Sequence, residues 1–224
     1  LRTLTKTFEH VTLDLPELSA EIVEGIGRVY TTPEGNRYPS VTTVIGKASD
    51  NSWLDDWKAR VGEEEVRKIS AQAARRGTAV HELAENYLNN DPKYTRGHMP
   101  ANIATFGQIR PLLDKHVGKI YGLEVPLYSD KLRVAGRVDC LAEWDKQLSI
   151  IDFKTSKREK KREDISGYFT QASAYAMMTF ERTGLLPKQI VIMMMVDDGH
   201  PLIFVEKSKD WIEKFIAIRK KVKL

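Results

Sequence analysis

Cysteine is nearly absent from this chain: Cys140 is the only one in 224 residues. One thiol excludes an intrachain disulfide framework and any zinc or iron–sulfur site built on several cysteines. Long apolar runs are missing too. The best candidate, residues 190–196, is the length of a strand and far short of the roughly 18 residues a membrane span needs. The chain shows no internal repeat, no low-complexity segment, and no basic stretch leading into an apolar block at its start. Asp14 and Glu17 run against an organellar transit peptide. These absences lead to the expectation of an intracellular, cytoplasmic protein, including the cytoplasm of a phage-infected host, in preference to the mitochondrial matrix. No membrane partner is expected, and no protein partner can be named.

What is present is ordinary in amount and uneven in placement. Apolar residues make up 42% and charged residues 29%, and the formal net charge is +4. This balance suits one globular domain over residues 1–224 and is too mild to establish a nucleic-acid partner by itself. Residues 154–162, however, hold six Lys or Arg in nine positions. Such a run is often only a solvated loop.

Residues 1–28 read as irregular, with turn signals at Pro16 and Gly25–Gly27. Helical elaboration then spans 40–117. Ser40 is placed as an N-cap ahead of Val41-Thr42-Thr43-Val44-Ile45. Helices follow over 53–68, over 71–88 with an apolar stripe through Ala79, Leu83 and Tyr87, and over 105–117 despite Pro111. Strands are expected at 123–128, 133–143 and 148–153, a helix at 165–183 ended by Gly184, strands at 190–196 and 202–205 around an Asp198-Gly199 turn, and a last helix at 211–223. Helix, three strands, helix, strand is the αβββαβ order of an α/β fold with a mixed central sheet flanked by helices.

The hairpin around Trp144-Asp145-Lys146-Gln147 carries the chemistry. An even loop pairs 143 with 148, 141 with 150 and 139 with 152, which sets Asp139 against Asp152 with Cβ atoms roughly 5 Å apart. An odd loop makes the pair diagonal. Side chains alternate along a strand, so Lys154 shares the face of Asp152. Two carboxylates at about 5 Å repel by roughly 3 kcal/mol at an effective dielectric of about 20. A hard divalent cation, Mg²⁺ or Mn²⁺, cancels that repulsion. The alternative is two solvated aspartates at a sheet end.

Gly136-Arg137-Val138-Asp139 with Ile151-Asp152-Phe153-Lys154-Thr155 resembles the paired motifs of the RecB-like branch of the PD-(D/E)XK nucleases. Gly77-Thr78-Ala79-Val80-His81-Glu82-Leu83-Ala84-Glu85 is similar to that branch's G-T-x-x-H-x-x-x-E helix, and Gln171-Ala172-Ser173-Ala174-Tyr175 to its Q-x-x-x-Y helix. Pro39-Ser40-Val41-Thr42 resembles an element of mitochondrial genome-maintenance exonucleases and their phage relatives. The proline of the family label is replaced by Val138.

The resemblance implies a restriction-endonuclease-like core and a DNA-hydrolysing centre using Mg²⁺ or Mn²⁺. His81, Asp139, Asp152 and the Phe153 backbone carbonyl would be metal ligands, with Glu85 supporting. Lys154 would orient water or stabilise charge on the phosphate. Glu124 would be a strand carboxylate near the metal, and Gln171 and Tyr175 would flank the centre. Ser40, Thr42, Lys157, Arg158, Lys160 and Lys161 would contact nucleic acid. Each has a plainer reading: a surface histidine, a solvent-facing glutamate, a simple N-cap, a solvated loop. Trp53 and Trp57 share a helix face and suit either base stacking or, the preferred reading, packing on the core; Met193, Met194 and Met195 suit core filling. The implied activity is exonucleolytic, on single-stranded DNA ends, in replication, recombination or repair. A structure-specific endonuclease and a non-catalytic DNA-binding module on the same fold are the alternatives.

Overall fold

The computed structural model describes residues 6–50, 52–197 and 199–223. Its centre is a five-stranded mixed sheet of order β4-β5-β6-β7-β8. The strands are β4 (Val117–Ser129), β5 (Val134–Trp144), β6 (Gln147–Ser156), β7 (Gln189–Val196) and β8 (Leu202–Lys207). Neighbours are antiparallel except β6 and β7, which run parallel across the helical crossover α6 (Ser166–Thr183).

Period-two alternation divides the sheet's side chains between two cores. Ile150, Ile190, Ile192, Met194 and Val196 face a layer made by α6, by α1 (Val41–Ala48) and by α7 (Lys209–Lys221) through Phe215. Ile151, Phe153, Val191, Met193 and Met195 face the opposite layer. That layer holds α3 (Glu63–Leu88), α4 (Pro100–Gly107) and α5 (Arg110–His116), through Leu83, Tyr87, Phe106 and Leu113. The three consecutive methionines are core, as their spacing in a strand required. No helix of the described residues is long and apolar enough to cross a membrane.

Residues 6–18 are irregular as expected, apart from an isolated bridge between His10 and Ile120, but residues 19–28 are not. β1 (Ser19–Val23), β2 (Gly27–Thr31) and β3 (Arg37–Pro39) form a separate antiparallel sheet, the first two strands turning at the glycine-marked segment. Tyr30, Tyr38 and Leu18 of this region cluster with Tyr128 and Ala135 on the edge of the main sheet. Further upstream, backbone hydrogen bonds tie Glu9 and Val11 to Ile120. The helix expected over 53–68 is broken at Gly62, whose φ of 94° no helical residue adopts. α2 (Ser52–Val61) ends there, and α3 then runs unbroken past the predicted gap at 69–70. α2 buries no residue: Trp53 is exposed and stacks on Trp57, so this pair does not pack on the core. The helix over 105–117 is likewise two helices, α4 and α5, and Val117 already belongs to β4. Asp198, half of the expected turn before β8, lies outside the described residues.

The β5–β6 hairpin has the even register. Trp144 pairs with Gln147, Glu143 with Leu148 and Leu141 with Ile150. Asp145 and Lys146 form the two-residue turn with φ of 51° and 66°. Left-handed φ at both positions is what a right-twisted hairpin demands, and it costs a non-glycine residue about 1 kcal/mol. Lys146→Gly should therefore stabilise the protein by about 0.5–1 kcal/mol, read as a higher midpoint in urea at unchanged slope. An unchanged or lower midpoint would contradict the turn assignment.

Candidate active site

The β5–β6 ladder stops at Cys140 and Ile151, one step before Asp139 would meet Asp152. Beyond that point the peptide of Phe153 has no ladder partner on β5. Its N–H instead donates to Asp139 Oδ2 at 2.9 Å, and its carbonyl lies 2.7 Å from His81 Nε2. Buried backbone groups must be satisfied, so two side chains take over what the departing strand leaves open. The expected face-to-face pairing of Asp139 with Asp152 is replaced by this arrangement. The carbonyl can only accept, so His81 Nε2 carries a proton, and it is Nδ1 that has the lone pair in a neutral imidazole. His81 Nδ1 lies 3.5 Å from Asp139 Oδ2.

Glu124 completes the group. Irregularities between Val117 and Gly122 shift the β4 register, after which Leu123 pairs with Cys140 and Val125 with Val138. Glu124 thus stands across from Asp139. Its φ of 49° is left-handed, a strained state for a side chain of this size. Arg137 secures it by donating from Nη1 to the Glu124 carbonyl at 2.6 Å, while Nη2 pairs with Glu17 at 3.0 Å. One ligand atom each from His81, Glu124 and Asp139 lie within 4.8 Å of one another. An imidazole nitrogen with two carboxylate oxygens suits a divalent cation such as Mg²⁺ or Mn²⁺.

Asp152 and Lys154 sit beside this trio, on β6. Asp152 is buried, and its Oδ2 lies 2.5 Å from Lys154 Nζ. Burial pushes the Asp152 carboxyl up to about 6 against the pull of Lys154. Burial also acts to lower Lys154, but Asp152 and Asp139 outweigh it and hold the ammonium above its usual range. The Lys154 ammonium lies 5.1 Å from the Tyr168 ring centre. Two groups expected as metal ligands have protein partners as well: Asp152 meets Lys154, and the Phe153 carbonyl accepts from His81, while each keeps a further lone pair.

The cleft over these groups has a volume of about 620 Å³. It brings together His81, Glu85, Glu124, Asp139, Lys154, Gln171 and Tyr175, with Ser40 and Thr42 at its side. Gln171 Nε2 reaches Tyr175 Oη at 3.4 Å. Tyr175 fits only because residue 136 is glycine: a Cβ there would stand 2.7 Å from the ring. Ser40 is buried and spends its hydroxyl on capping, accepting from Thr43 N at 2.9 Å and donating to Thr43 Oγ1 at 2.8 Å. Lys157, Arg158, Lys160 and Lys161 do not line this cleft. Lys157 borders a separate hollow with Arg76 and Asp197. Arg162 of the same run is paired with Glu206. Residues that sequence reasoning passed over also line the site: Arg28, Tyr30 and Arg137. Arg137 was legible, since it lies two positions before Asp139 on one strand.

Burial pushes Glu124 up to about 7, and the charges of Asp139 and Glu85 push the same way. A carboxyl raised by folding holds a proton that the unfolded chain has lost, so metal-free stability should fall as pH rises from the ordinary carboxylate range to about 7. A cation neutralising the same group should recover that loss. Mn²⁺ at about 100 times its Kd should raise the melting temperature by about 5–10 °C near pH 8. Near pH 5 the rise should be much smaller. Equal shifts at both pH values, or equal shifts in Asp139→Asn, would contradict the assignment.

Residues 103–209 match the family model described as the PD-(D/E)XK nuclease superfamily. Over 134 residues the chain is 29% identical to human mitochondrial genome maintenance exonuclease 1, covering 56% of this chain and 38% of that protein. The mouse protein of the same name is 26% identical over 132 residues, covering 56% and 39%. The match thus spans about two fifths of the length of these relatives. A solved structure described as a candidate exonuclease from Eubacterium rectale aligns over 67% of this chain and 69% of its own, with a TM-score of 0.39 and 13% identity. The five-stranded mixed sheet flanked by helices is the restriction-endonuclease-like core, and residues 103–209, just under half of the chain, are similar to the PD-(D/E)XK nuclease superfamily.

Proposed function

We propose that this chain is a divalent-metal-dependent deoxyribonuclease that digests single-stranded DNA from its ends. The observation that carries the reading is the convergence of one ligand atom each from His81, Glu124 and Asp139 within 4.8 Å, beside Lys154 in the same cleft. A protein with three metal-ligand groups and a half-buried ammonium at one spot bears an electrostatic cost for a purely structural purpose. The exonuclease and single-strand elements rest on the relatives' printed activity and on the sequence resemblance alone.

In this reading His81, Glu124 and Asp139 hold Mg²⁺ or Mn²⁺. The cation, when bound, supplies a Lewis acid for the scissile phosphate and makes water at the site more acidic. Lys154, kept charged and aimed by Asp152, stabilises negative charge that grows on the phosphate oxygens. Asp152 is buried with its Oδ2 against that ammonium. Gln171 orients Tyr175 on the sheet side of the cleft, and Glu85 adds negative charge around the cation. Thr42 donates its hydroxyl to Ser40 Oγ at 3.0 Å, and both residues act through the start of α1.

The test is a digestion time course on end-labelled linear and on circular single-stranded DNA. With Mg²⁺ or Mn²⁺ the linear strand should shorten while the circle survives. Lys154→Ala and Asp139→Asn should each lower the rate by at least about 10²–10³-fold. Cleavage of the circle would replace the exonuclease with an endonuclease. A wild-type rate in Lys154→Ala would overturn the assignment of the centre.

A further inference from the structure

Three cationic side chains line the cleft: Arg28, Arg137 and Lys154. Two are already engaged. Lys154 is paired with Asp152, and Arg137 is held by Glu17 and by the Glu124 carbonyl. Arg28 is exposed, and its guanidinium has no ion pair or hydrogen bond among the described residues. The cleft also contains Glu82, Glu85, Glu124 and Asp139, any of which would attract a free guanidinium. The backbone explains why Arg28 stays apart from them. Its N–H donates to Thr43 Oγ1 at 3.2 Å and its carbonyl accepts from Ser40 N at 2.8 Å, which fastens it to the start of α1. Acids therefore gather on the α3, β4 and β5 side of the cleft, and one unspent positive charge stands at β2.

We infer that Arg28 binds a backbone phosphate of the substrate strand next to the one being cut. This deepens the nuclease reading and rests on it. Phosphate is the ligand class that fits: it is repelled by the carboxylate side, and a guanidinium offers it two parallel donors. The basic loop at 157–162 is the competing anchor, but Lys157, Arg158, Lys160 and Lys161 are absent from the cleft and Arg162 is spent on Glu206. Arg28 lies outside the span matched by the family model, so this contact belongs to the N-terminal sheet and is an addition to the nuclease core. The hairpin that presents it gives the cleft a phosphate side and a metal side.

The test is equilibrium binding of a short fluorescent single-stranded oligonucleotide by anisotropy, in EDTA so that no cleavage follows, over a salt series. Arg28→Gln should weaken binding by roughly 10-fold and reduce the slope of log K against log salt by about 0.7. Arg28→Lys should keep most of the slope, because it keeps the charge. The Mn²⁺-induced rise in melting temperature should be the same in Arg28→Gln as in wild type, which shows a folded protein with an intact metal centre. Wild-type affinity and slope in Arg28→Gln, with a large loss in a Lys157→Gln, Lys160→Gln, Lys161→Gln variant, would overturn this assignment and leave the nuclease reading standing. Wild-type protein that binds no oligonucleotide at all would overturn both.

Discussion

The peptide of Phe153 is the point on which the site depends. β5 and β6 are joined by a tight hairpin and stay paired as far as Cys140 and Ile151, and then separate. Separation strands one N–H and one C=O in a region shielded from water. Leaving either unpaired costs about 1–3 kcal/mol, comparable to a sizeable fraction of a protein's net stability. Asp139 takes the N–H and His81 takes the carbonyl. Each bond fixes a rotamer and leaves ligand capacity facing the cleft: lone pairs on the carboxylate, Nδ1 on the imidazole. The same two hydrogen bonds that let the strands part also orient two of the three groups gathered for a cation. Function is obtained from a requirement of folding.

The third group is held by a different device. Glu124 occupies a left-handed backbone state opposite Asp139, and Arg137 grips its carbonyl. Without a cation the result is electrostatically unfavourable. Glu124 and Asp152 are both raised well above ordinary carboxylates, chiefly by burial, with neighbouring acids adding to it. Lys154 offsets part of this from one side, but it is held by Asp152. The metal-free protein thus stores a destabilisation at the place where a cation would act. Much of the supporting frame is apolar and rigid: Phe153, Ile151 and Val191 on one face, Ile150 and Ile192 on the other.

Which features were legible in the sequence follows from how local their causes are. The position of the β5–β6 hairpin was legible around Trp144-Asp145-Lys146-Gln147, and alternation narrowed its register to an even or an odd loop, of which the structure takes the even one. His81 and Glu85 on one helix face, and Gln171 and Tyr175 on another, follow from 3.6-residue periodicity. The rotation of Asp139 toward Phe153 was not legible, since counting along a ladder assumes that the ladder continues. The N-terminal sheet was hidden because β1–β3 are short and depend on Tyr128 and Ala135, about 100 residues away, for burial. The break at Gly62 needed the φ of one residue, where apolar spacing suggested a gap several residues later. The basic run at 157–162 misled by proximity in sequence: following Lys154 along the chain does not place it in the cleft, whereas Arg28, more than 120 residues upstream, does line it.

The most direct measurement is anomalous diffraction at the manganese edge from crystals soaked in Mn²⁺. The account predicts a peak bounded by His81 Nδ1 and the carboxylates of Glu124 and Asp139, with His81 Nε2 still hydrogen-bonded to the Phe153 carbonyl. A cation bound through His81 Nε2, with that carbonyl released, would contradict it.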